Sequence, residues 1–255
     1  DYLSMHCYYG NKAQNTADFL ARAEDMDKFI KNTAKICDEI KAKKNSDKTL
    51  MLSFDEWNVW YRTKDEEKTA QRWQIAPHLL EEKYTFEDAL LVGCMLMTLQ
   101  NNSDRVKVAC LAQLVNVIAP IMTENDGGAW RQSIFYPYMY ASLYGNGVAL
   151  NTSCEVNSYK SSEGWDIPYL YTSSIYNSEN DEIVVFAVNR SLDEKIELDI
   201  KLEGYELCSH IELYSSELDA SNEMGNERIK PEERKVSRGE IALKEHSWNM
   251  LIFKR

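Results

Sequence analysis

The stretch Met51-Leu52-Ser53-Phe54-Asp55-Glu56-Trp57-Asn58-Val59-Trp60-Tyr61-Arg62 decides the fold of this chain. Its apolar, alternating beginning is typical of a buried β-strand. The strand runs into two adjacent carboxylates, Asp55 and Glu56, and three aromatic residues follow within five positions. The pattern predicts a strand that ends in acidic residues inside an aromatic cup.

An acidic strand end inside an aromatic cup is typical of a site that cleaves sugars. Carboxylates supply the nucleophile or the acid, and the flat faces of Trp and Tyr stack on the C–H surfaces of a sugar ring. The same pattern also fits a solvated Asp-Glu pair at a strand edge beside a local aromatic cluster. Pattern alone leaves both interpretations open.

Residues 53–61 resemble, almost residue for residue, the nucleophile segment of the family-51 glycoside hydrolases, the α-L-arabinofuranosidases. The resemblance implies that Glu56 is the catalytic nucleophile, at the carboxyl end of the seventh strand of a (β/α)8 barrel. It further implies that Asp55 supports the site without being a catalyst, and that Trp60 contacts the sugar.

The chain begins with a second alternating run, residues 2–11, which ends in a Gly-Asn turn signal and predicts a strand. It resembles the family's sixth strand. The resemblance implies that Tyr8 lines the sugar site and can hydrogen-bond the nucleophile. The alternative is a tyrosine on the barrel rim with its hydroxyl in solvent. Cys7 stands where related sequences often carry a polar residue.

Residues 106–116 are apolar enough for an inner strand and resemble the family's eighth-strand region. The resemblance implies that Gln113 hydrogen-bonds arabinose. The alternative is a buried glutamine whose amide is satisfied by backbone. Farther on, residues 130–144 resemble the last helix of the barrel.

Two helices are predicted between these strands. Apolar residues recur every three or four positions from Thr16 to Lys44, which predicts one long amphipathic helix with Thr16 as its N-cap. A capping box at residues 85–88 starts another helix. A strand, a helix and a strand in succession form a crossover, so the neighbouring strands should be parallel.

After Gly147 the chain changes to short alternating runs separated by turn clusters, which indicates a β-sandwich. The predicted fold class is therefore α/β plus all-β. Residues 1–147 are expected to form the C-terminal part of a (β/α)8 TIM barrel, strands six to eight. Residues 148–255 are expected to form the jelly-roll-like β-sandwich that the family carries at this point.

Size and charge restrict the function. The 255 residues, 44% of them hydrophobic, suffice for one large domain or two moderate ones. A net charge of −12 argues against nucleic acid or an anionic membrane as partner, because both would repel the chain. The chain starts without a leader-like segment, and its longest apolar run, residues 106–122, is interrupted by polar residues. We therefore expect no membrane span.

The six cysteines lack any C-x-x-C spacing and most have apolar neighbours, which favours free, buried thiols in a reducing compartment. The four histidines are far apart in sequence, so no metal site is predicted, and no cofactor is expected. The family's enzymes are commonly cytoplasmic oligomers, so the resemblance implies a cytoplasmic homo-oligomer.

A retaining glycosidase needs two carboxyl groups about 5–5.5 Å apart, one as nucleophile and one as acid and base. The family's acid/base Glu lies in an Asn-Glu pair upstream of this chain, and no substitute is evident here. We therefore expect this chain, which has no initiator Met, to be the C-terminal half of a longer enzyme. Its expected partner is the missing N-terminal half of the barrel.

The resemblance implies hydrolysis of terminal α-L-arabinofuranosyl groups from hemicellulose-derived oligosaccharides. Two alternatives stay open: a related retaining glycosidase, such as a xylosidase or endoglucanase, and a non-catalytic fragment that acts as an assembly domain.

Overall fold

Three parallel strands form the first sheet, in the order β1 (Tyr2–Tyr9), β2 (Met51–Val59) and β3 (Val106–Leu111). They belong to a computed structural model that describes residues 1–61, 73, 75, 78–236 and 241–255. Both pairs are parallel because a helical crossover separates each strand from the next. Within the described residues nothing pairs with the outer edges of β1 and β3, so the sheet is open and is not a closed barrel.

The crossover between β1 and β2 contains two helices, α1 (Thr16–Leu20) and α2 (Arg22–Lys43), so the prediction of one long helix was wrong. The first helix ends at Ala21, whose carbonyl accepts from the Glu24 N–H at 3.1 Å in a tight turn. The predicted cap was also wrong by one residue. Asn15 caps α1, because its side-chain oxygen accepts from the backbone N–H of Asp18.

The crossover between β2 and β3 contains α3 (Phe86–Asn101), which starts at the predicted capping box. The backbone N–H of Thr85 donates to the Asp88 carboxylate at 2.7 Å. A fourth helix, α4 (Phe135–Tyr144), begins later than predicted. Its expected first turn is instead the strand β5 (Ala129–Arg131), which pairs with β4 (Ile121–Thr123), and this ladder excludes a helix there.

The second part of the chain is built on a six-stranded antiparallel sheet. In chain order its strands are β6 (Val148–Leu150), β9 (Leu170–Asn177), β10 (Glu182–Asn189), β12 (Glu206–Leu213), β13 (Glu232–Glu233) and β15 (Ser247–Lys254). Across the sheet the order is β13-β12-β15-β10-β9-β6. Two small ladders accompany it, β7 (Ser158–Lys160) with β8 (Asp166–Pro168), and β11 (Ile196–Leu198) with β14 (Ile241–Leu243).

The β11–β14 ladder covers one face of the large sheet, where Leu198 and Ile241 pack on Ile183 and Leu251. This layering gives the predicted β-sandwich. The opposite face packs on α3, in one hydrophobic cluster that runs from the three-stranded sheet into the sandwich. Helix α3 lies very close to the sheet at Gly93, where a Cβ would be 2.4 Å from the Trp248 ring of β15. A side chain at that position would push α3 away from the sheet.

The six cysteines are all unpaired, but their predicted burial was partly wrong. Cys37 and Cys94 are buried, whereas Cys110, Cys154 and Cys208 are exposed. Apolar neighbours in sequence did not guarantee burial, because Cys110 lies on the open edge strand β3. No described helix has the length and apolar character needed to cross a lipid bilayer.

A buried ion pair joins the two parts of the chain. The Arg190 guanidinium, which follows β10, donates to both oxygens of Glu24 in α2, at 2.7 and 2.8 Å. It also donates to the Pro168 carbonyl and lies 4.7 Å from the centre of the Tyr171 ring. The Arg190 side chain is fully buried. The pair therefore fixes α2 against the sandwich, in a place where the Arg190 charge has no access to solvent and the Glu24 carboxylate has little.

Replacing Arg190 with Met should lower the free energy of unfolding by about 3–5 kcal/mol, because Glu24 loses its buried partner. The double variant Arg190→Met/Glu24→Leu should recover most of that loss. As a control, Lys201→Met breaks the exposed pair with Asp199, and should change the free energy by less than about 0.5 kcal/mol. Chemical denaturation of the variants measures all three, and equal losses for Arg190→Met and Lys201→Met would contradict the assignment.

Candidate active site

The candidate site lies on one face of the three-stranded sheet, toward the carboxyl ends of its strands. Alternation along β1 places Ser4, His6 and Tyr8 on this face. In the parallel register these residues lie beside Ser53, Glu56 and Asn58 of β2, in that order. Catalytic side chains of barrel enzymes occupy this end of the strands.

A β-bulge in β2 brings both acidic side chains to this face. Between the pairs Ser4–Ser53 and His6–Glu56, β2 advances by three residues while β1 advances by two. β2 also has one residue in excess over β3 just after Phe54. A regular strand would point neighbouring side chains to opposite faces, and the extra residue removes that restriction. Asp55 and Glu56 consequently both contact the same residue, His6.

Asp55 accepts hydrogen bonds from two hydroxyls, Ser4 Oγ at 2.7 Å and Ser53 Oγ at 2.9 Å. His6 Nε2 lies 3.0 Å from the same carboxylate. The bond from Ser4, then that from Ser53, lowers the pKa of Asp55, because each favours the ionised form. An aspartate held ionised is a poor proton donor, so Asp55 is unsuited to be the acid of a glycosidase.

Glu56 is held by Tyr8, whose hydroxyl donates to Oε1 at 2.6 Å. The second carboxylate oxygen lies 3.3 Å from His6 Nδ1. The ring of Tyr8 meets Trp60 edge to face, with 5.2 Å between the ring centres. The Glu56 side chain is 44% exposed. The structure thus brings Glu56, Tyr8 and Trp60 together, with the carboxylate oriented and still accessible.

His6, like Ser4 and Ser53, is a residue of this site that sequence reasoning missed. It contacts both carboxylates, yet its motif drew attention only to Tyr8. The alternation of β1 was the available signal, because residues two apart in a strand share a face. Cys7 belongs to the other face, where it lies beside Tyr9, and Tyr9 donates to Asp25 at 2.9 Å. Burial raises the pKa of Cys7 to about 11, and this thiol takes no part in the site.

Gln113 lies in the turn that follows β3. The preceding residue, Ala112, donates its N–H to the Trp57 carbonyl at 2.9 Å, which ties this turn to the strand that carries Glu56. Gln113 is exposed, so the alternative of a buried, backbone-bonded glutamine was wrong. Among the described residues no hydrogen bond joins it to Glu56. The structure therefore places Gln113 at the carboxyl end of β3, and among the described residues it makes no hydrogen bond to the carboxylate.

A wide groove of about 1070 Å³ lies elsewhere, between α2 and the turn after α3. Arg105, which immediately precedes β3, lines it, so the groove is at the amino ends of the strands. That end of a parallel sheet is not where barrel enzymes place their chemistry. In the part of the chain that the structure describes, no group of three or more His, Cys, Asp or Glu side chains is arranged to hold a metal ion.

Comparisons with known proteins agree with the sequence resemblance. Residues 55–247 match the family model of the α-L-arabinofuranosidase C-terminal domain. A relative from Halalkalibacterium halodurans, named an intracellular exo-α-(1→5)-L-arabinofuranosidase, is 47% identical over 259 residues, covering 98% of this chain and 52% of the relative. A similarly named relative from Bacillus subtilis is 45% identical over 263 residues, covering 100% and 52%. The chain spans about half the length of these relatives.

A solved family 51 α-L-arabinofuranosidase from Bifidobacterium longum superimposes with a TM-score of 0.91 at 32% identity, covering 100% of this chain and 54% of that one. The Thermotoga maritima enzyme superimposes with a TM-score of 0.79 at 22% identity, covering 99% of this chain and 52% of that one, which bears on the fold alone. The fold, and with it the predicted fold class, is that of the C-terminal part of a barrel glycoside hydrolase. The chain belongs to the α-L-arabinofuranosidases of glycoside hydrolase family 51.

Replacing Ser4 with Ala should raise the pKa of Asp55, because it removes the hydrogen bond that does most to favour the ionised carboxylate. The direction of this pKa change also determines how the stability of the variant depends on pH. Asp55 contributes above its unfolded pKa of about 3.9 and loses that contribution as the pH falls through the folded value, so the variant should lose less stability in acid. Carboxyl-selective NMR titration measures the shift. Ser46→Ala, before β2, is the control, and an unchanged Asp55 titration in Ser4→Ala would contradict the assignment.

Proposed function

We propose that this chain is the nucleophile half of a retaining α-L-arabinofuranosidase, which releases terminal α-L-arabinofuranosyl groups from hemicellulose-derived oligosaccharides. The single observation that carries the proposal is the Glu56 carboxylate, accessible at the carboxyl end of β2 and held by the Tyr8 hydroxyl at 2.6 Å. Relatives 47% and 45% identical to the chain are named exo-acting arabinofuranosidases, which supports the choice of sugar.

In the proposed reaction a Glu56 oxygen attacks the anomeric carbon, and the bond to the leaving oxygen breaks as an acid protonates it. Water then hydrolyses the glycosyl-enzyme ester, so the configuration is retained. Tyr8 fixes one carboxylate oxygen before the sugar arrives, which reduces the reorganisation needed for attack. His6 is within reach of both carboxylates and helps to keep them in place. The proposed sugar contacts are Tyr8, Trp60 and Gln113.

The acid and base of the proposed reaction come from outside this chain. Among the described residues the second carboxyl group of the site is Asp55, whose lowered pKa makes it a poor proton donor. The open edges of β1 and β3 also carry exposed apolar side chains, among them Tyr2 and Val108. An open, apolar sheet edge presents unpaired backbone N–H and C=O groups and is therefore a template for pairing with a further strand.

A buried hydrogen-bond donor beside β3 also supports a partner at this open edge of the sheet. The Trp57 indole N–H is buried and has no hydrogen-bond partner among the described residues. Trp57 lines a groove of about 280 Å³ between β3 and the helices α3 and α4. We propose that the N-terminal half of the (β/α)8 barrel pairs with both open edges and supplies the acid/base Glu. Together with that half, the chain forms the assembled enzyme.

We propose a domain boundary between residues 147 and 148, where the sheet strand β6 begins. A cytoplasmic location is supported by the relatives named intracellular and by the six unpaired cysteines.

We propose that the assembled enzyme is a homo-oligomer. An exposed apolar stripe on α2, formed by Phe29, Ile36 and Ile40, offers surface for such packing.

Replacing Glu56 with Gln in the assembled enzyme should lower kcat for an aryl α-L-arabinofuranoside by a factor on the order of 10³ or more, because the amide cannot form the glycosyl ester. The isolated chain should release about one equivalent of phenol when the leaving group departs without protonation. Glu233→Gln, on the exposed strand β13, is the matched control. Hydrolysis by Glu56→Gln at the wild-type rate would falsify the proposal, and faster cleavage of a paired aryl xyloside would favour a different sugar.

Replacing Tyr8 with Phe should lower kcat/KM of the assembled enzyme by about tenfold to a hundredfold, since a charge-assisted hydrogen bond to the nucleophile is lost while the ring remains. Tyr9→Phe is the matched control. It removes the hydroxyl bonded to Asp25 on the opposite face of the same strand, so kcat/KM should not change. Steady-state kinetics decide, and equal effects of the two substitutions would count against a site-specific role for Tyr8.

A further inference from the structure

Asn58 is a fully buried residue of β2 that the proposed chemistry does not use. It lies two positions after Glu56 and beside Tyr8 in the parallel register. Its amide Nδ2 donates to the Ile118 carbonyl at 2.6 Å and to the Ala112 carbonyl at 3.4 Å. These carbonyls stand at the two ends of the turn 112–118, which carries Gln113. One buried side chain of the nucleophile strand thus holds both ends of the turn.

The turn 112–118 has an unfavourable backbone conformation. Gln113, Asn116 and Ile118 have φ values of +65°, +64° and +40°. Asn tolerates the left-handed region, but for a β-branched residue such as Ile it is a marked outlier. Conformations of this kind persist only where surrounding contacts impose them, and they concentrate at functional sites. The turn therefore needs an external constraint.

The contacts of the turn show where that constraint lies. At its far side Asn116 is bonded to Thr123, and the Ile118 N–H donates to the Leu80 carbonyl at 2.7 Å. At its near side, two connections among the described residues join it to the nucleophile strand: the Asn58 amide and the bond from the Ala112 N–H to the Trp57 carbonyl. Without the Asn58 donors, the Ile118 carbonyl is left buried without a side-chain partner from β2. Relaxation of the turn would then move Gln113 relative to Glu56.

We propose that Asn58 is a positioning residue, whose amide holds the strained turn 112–118 so that Gln113 meets the sugar bound at Glu56. This inference rests on the proposed function, because it assumes that Gln113 contacts the substrate. Asn58 itself is fully buried, and its side-chain hydrogen bonds go to backbone groups of Ala112, Ile118 and Val59. Its effect on catalysis passes through Gln113.

A double-mutant cycle between Asn58 and Gln113 in the assembled enzyme tests the proposal. Gln113→Ala and Asn58→Ala should each lower kcat/KM for an aryl α-L-arabinofuranoside by about tenfold, the effect of losing one hydrogen bond. The kcat/KM of the double variant should match that of the less active single variant within about twofold, because Asn58 acts through Gln113. A merely structural role predicts that the two losses multiply.

Asn222 provides a matched control. It is equally buried, and its amide donates to the Arg131 and Ile229 carbonyls at 3.0 and 2.8 Å, away from the turn. Asn222→Ala should lower the thermal stability as Asn58→Ala does, yet combine with Gln113→Ala without coupling. If Asn58→Ala fails to fold, Asn58→Leu enters the same cycle, since it removes the amide donors while filling the same volume and burying no charge.

Two outcomes would overturn the inference: losses that multiply in the Asn58 and Gln113 double variant, or an Asn58 variant that folds and has the wild-type kcat/KM. Failure of the proposed function has a different signature. In that case Glu56→Gln and Gln113→Ala both leave arabinofuranoside hydrolysis unchanged, which removes the basis of the inference as well. Loss of activity in Glu56→Gln with uncoupled Asn58 and Gln113 overturns only the positioning role.

Discussion

The bulge in β2 is the constraint on which the site depends. Parallel pairing with β1 and β3 fixes the register of this central strand, and the extra residue at the acidic pair changes which way its side chains point. With regular alternation Asp55 and Glu56 would face opposite sides of the sheet. The bulge lets both reach His6, and it lets the next residues of the strand return to alternation, so that Asn58 is buried and Trp60 meets Tyr8.

The two adjacent carboxylates have different surroundings and hence different uses. Hydroxyls of Ser4 and Ser53 donate to the two oxygens of Asp55 and lower its pKa, whereas the Tyr8 phenol donates to one oxygen of Glu56. The first arrangement suits a fixed charge, and the second suits a nucleophile. The sheet that carries them is open on both edges, and the sandwich stabilises it from behind through α3 and the buried pair of Arg190 with Glu24. These contacts stabilise the three-stranded sheet from the side of the sandwich.

Local sequence signals predicted much of this structure. Alternation located β1 and β2, the capping box located the start of α3, and the resemblance singled out Glu56, Tyr8, Gln113 and Trp60. Features set by distant pairing were not predictable. The bulge exists only relative to neighbouring strands, the ladder of β4 and β5 displaced the start of α4, and the contact of His6 with both carboxylates follows from the bulge. The roles of the site residues remain predictions.

The most direct test of the account is to locate the covalent intermediate. The assembled enzyme is mixed with an aryl α-L-arabinofuranoside whose leaving group departs readily, quenched in acid during the burst, digested and analysed by tandem mass spectrometry. The account predicts one pentosyl group esterified to Glu56, even though Asp55 is adjacent and on the same face. A pentosyl group on Asp55, or steady turnover with no ester on either carboxylate, would contradict it.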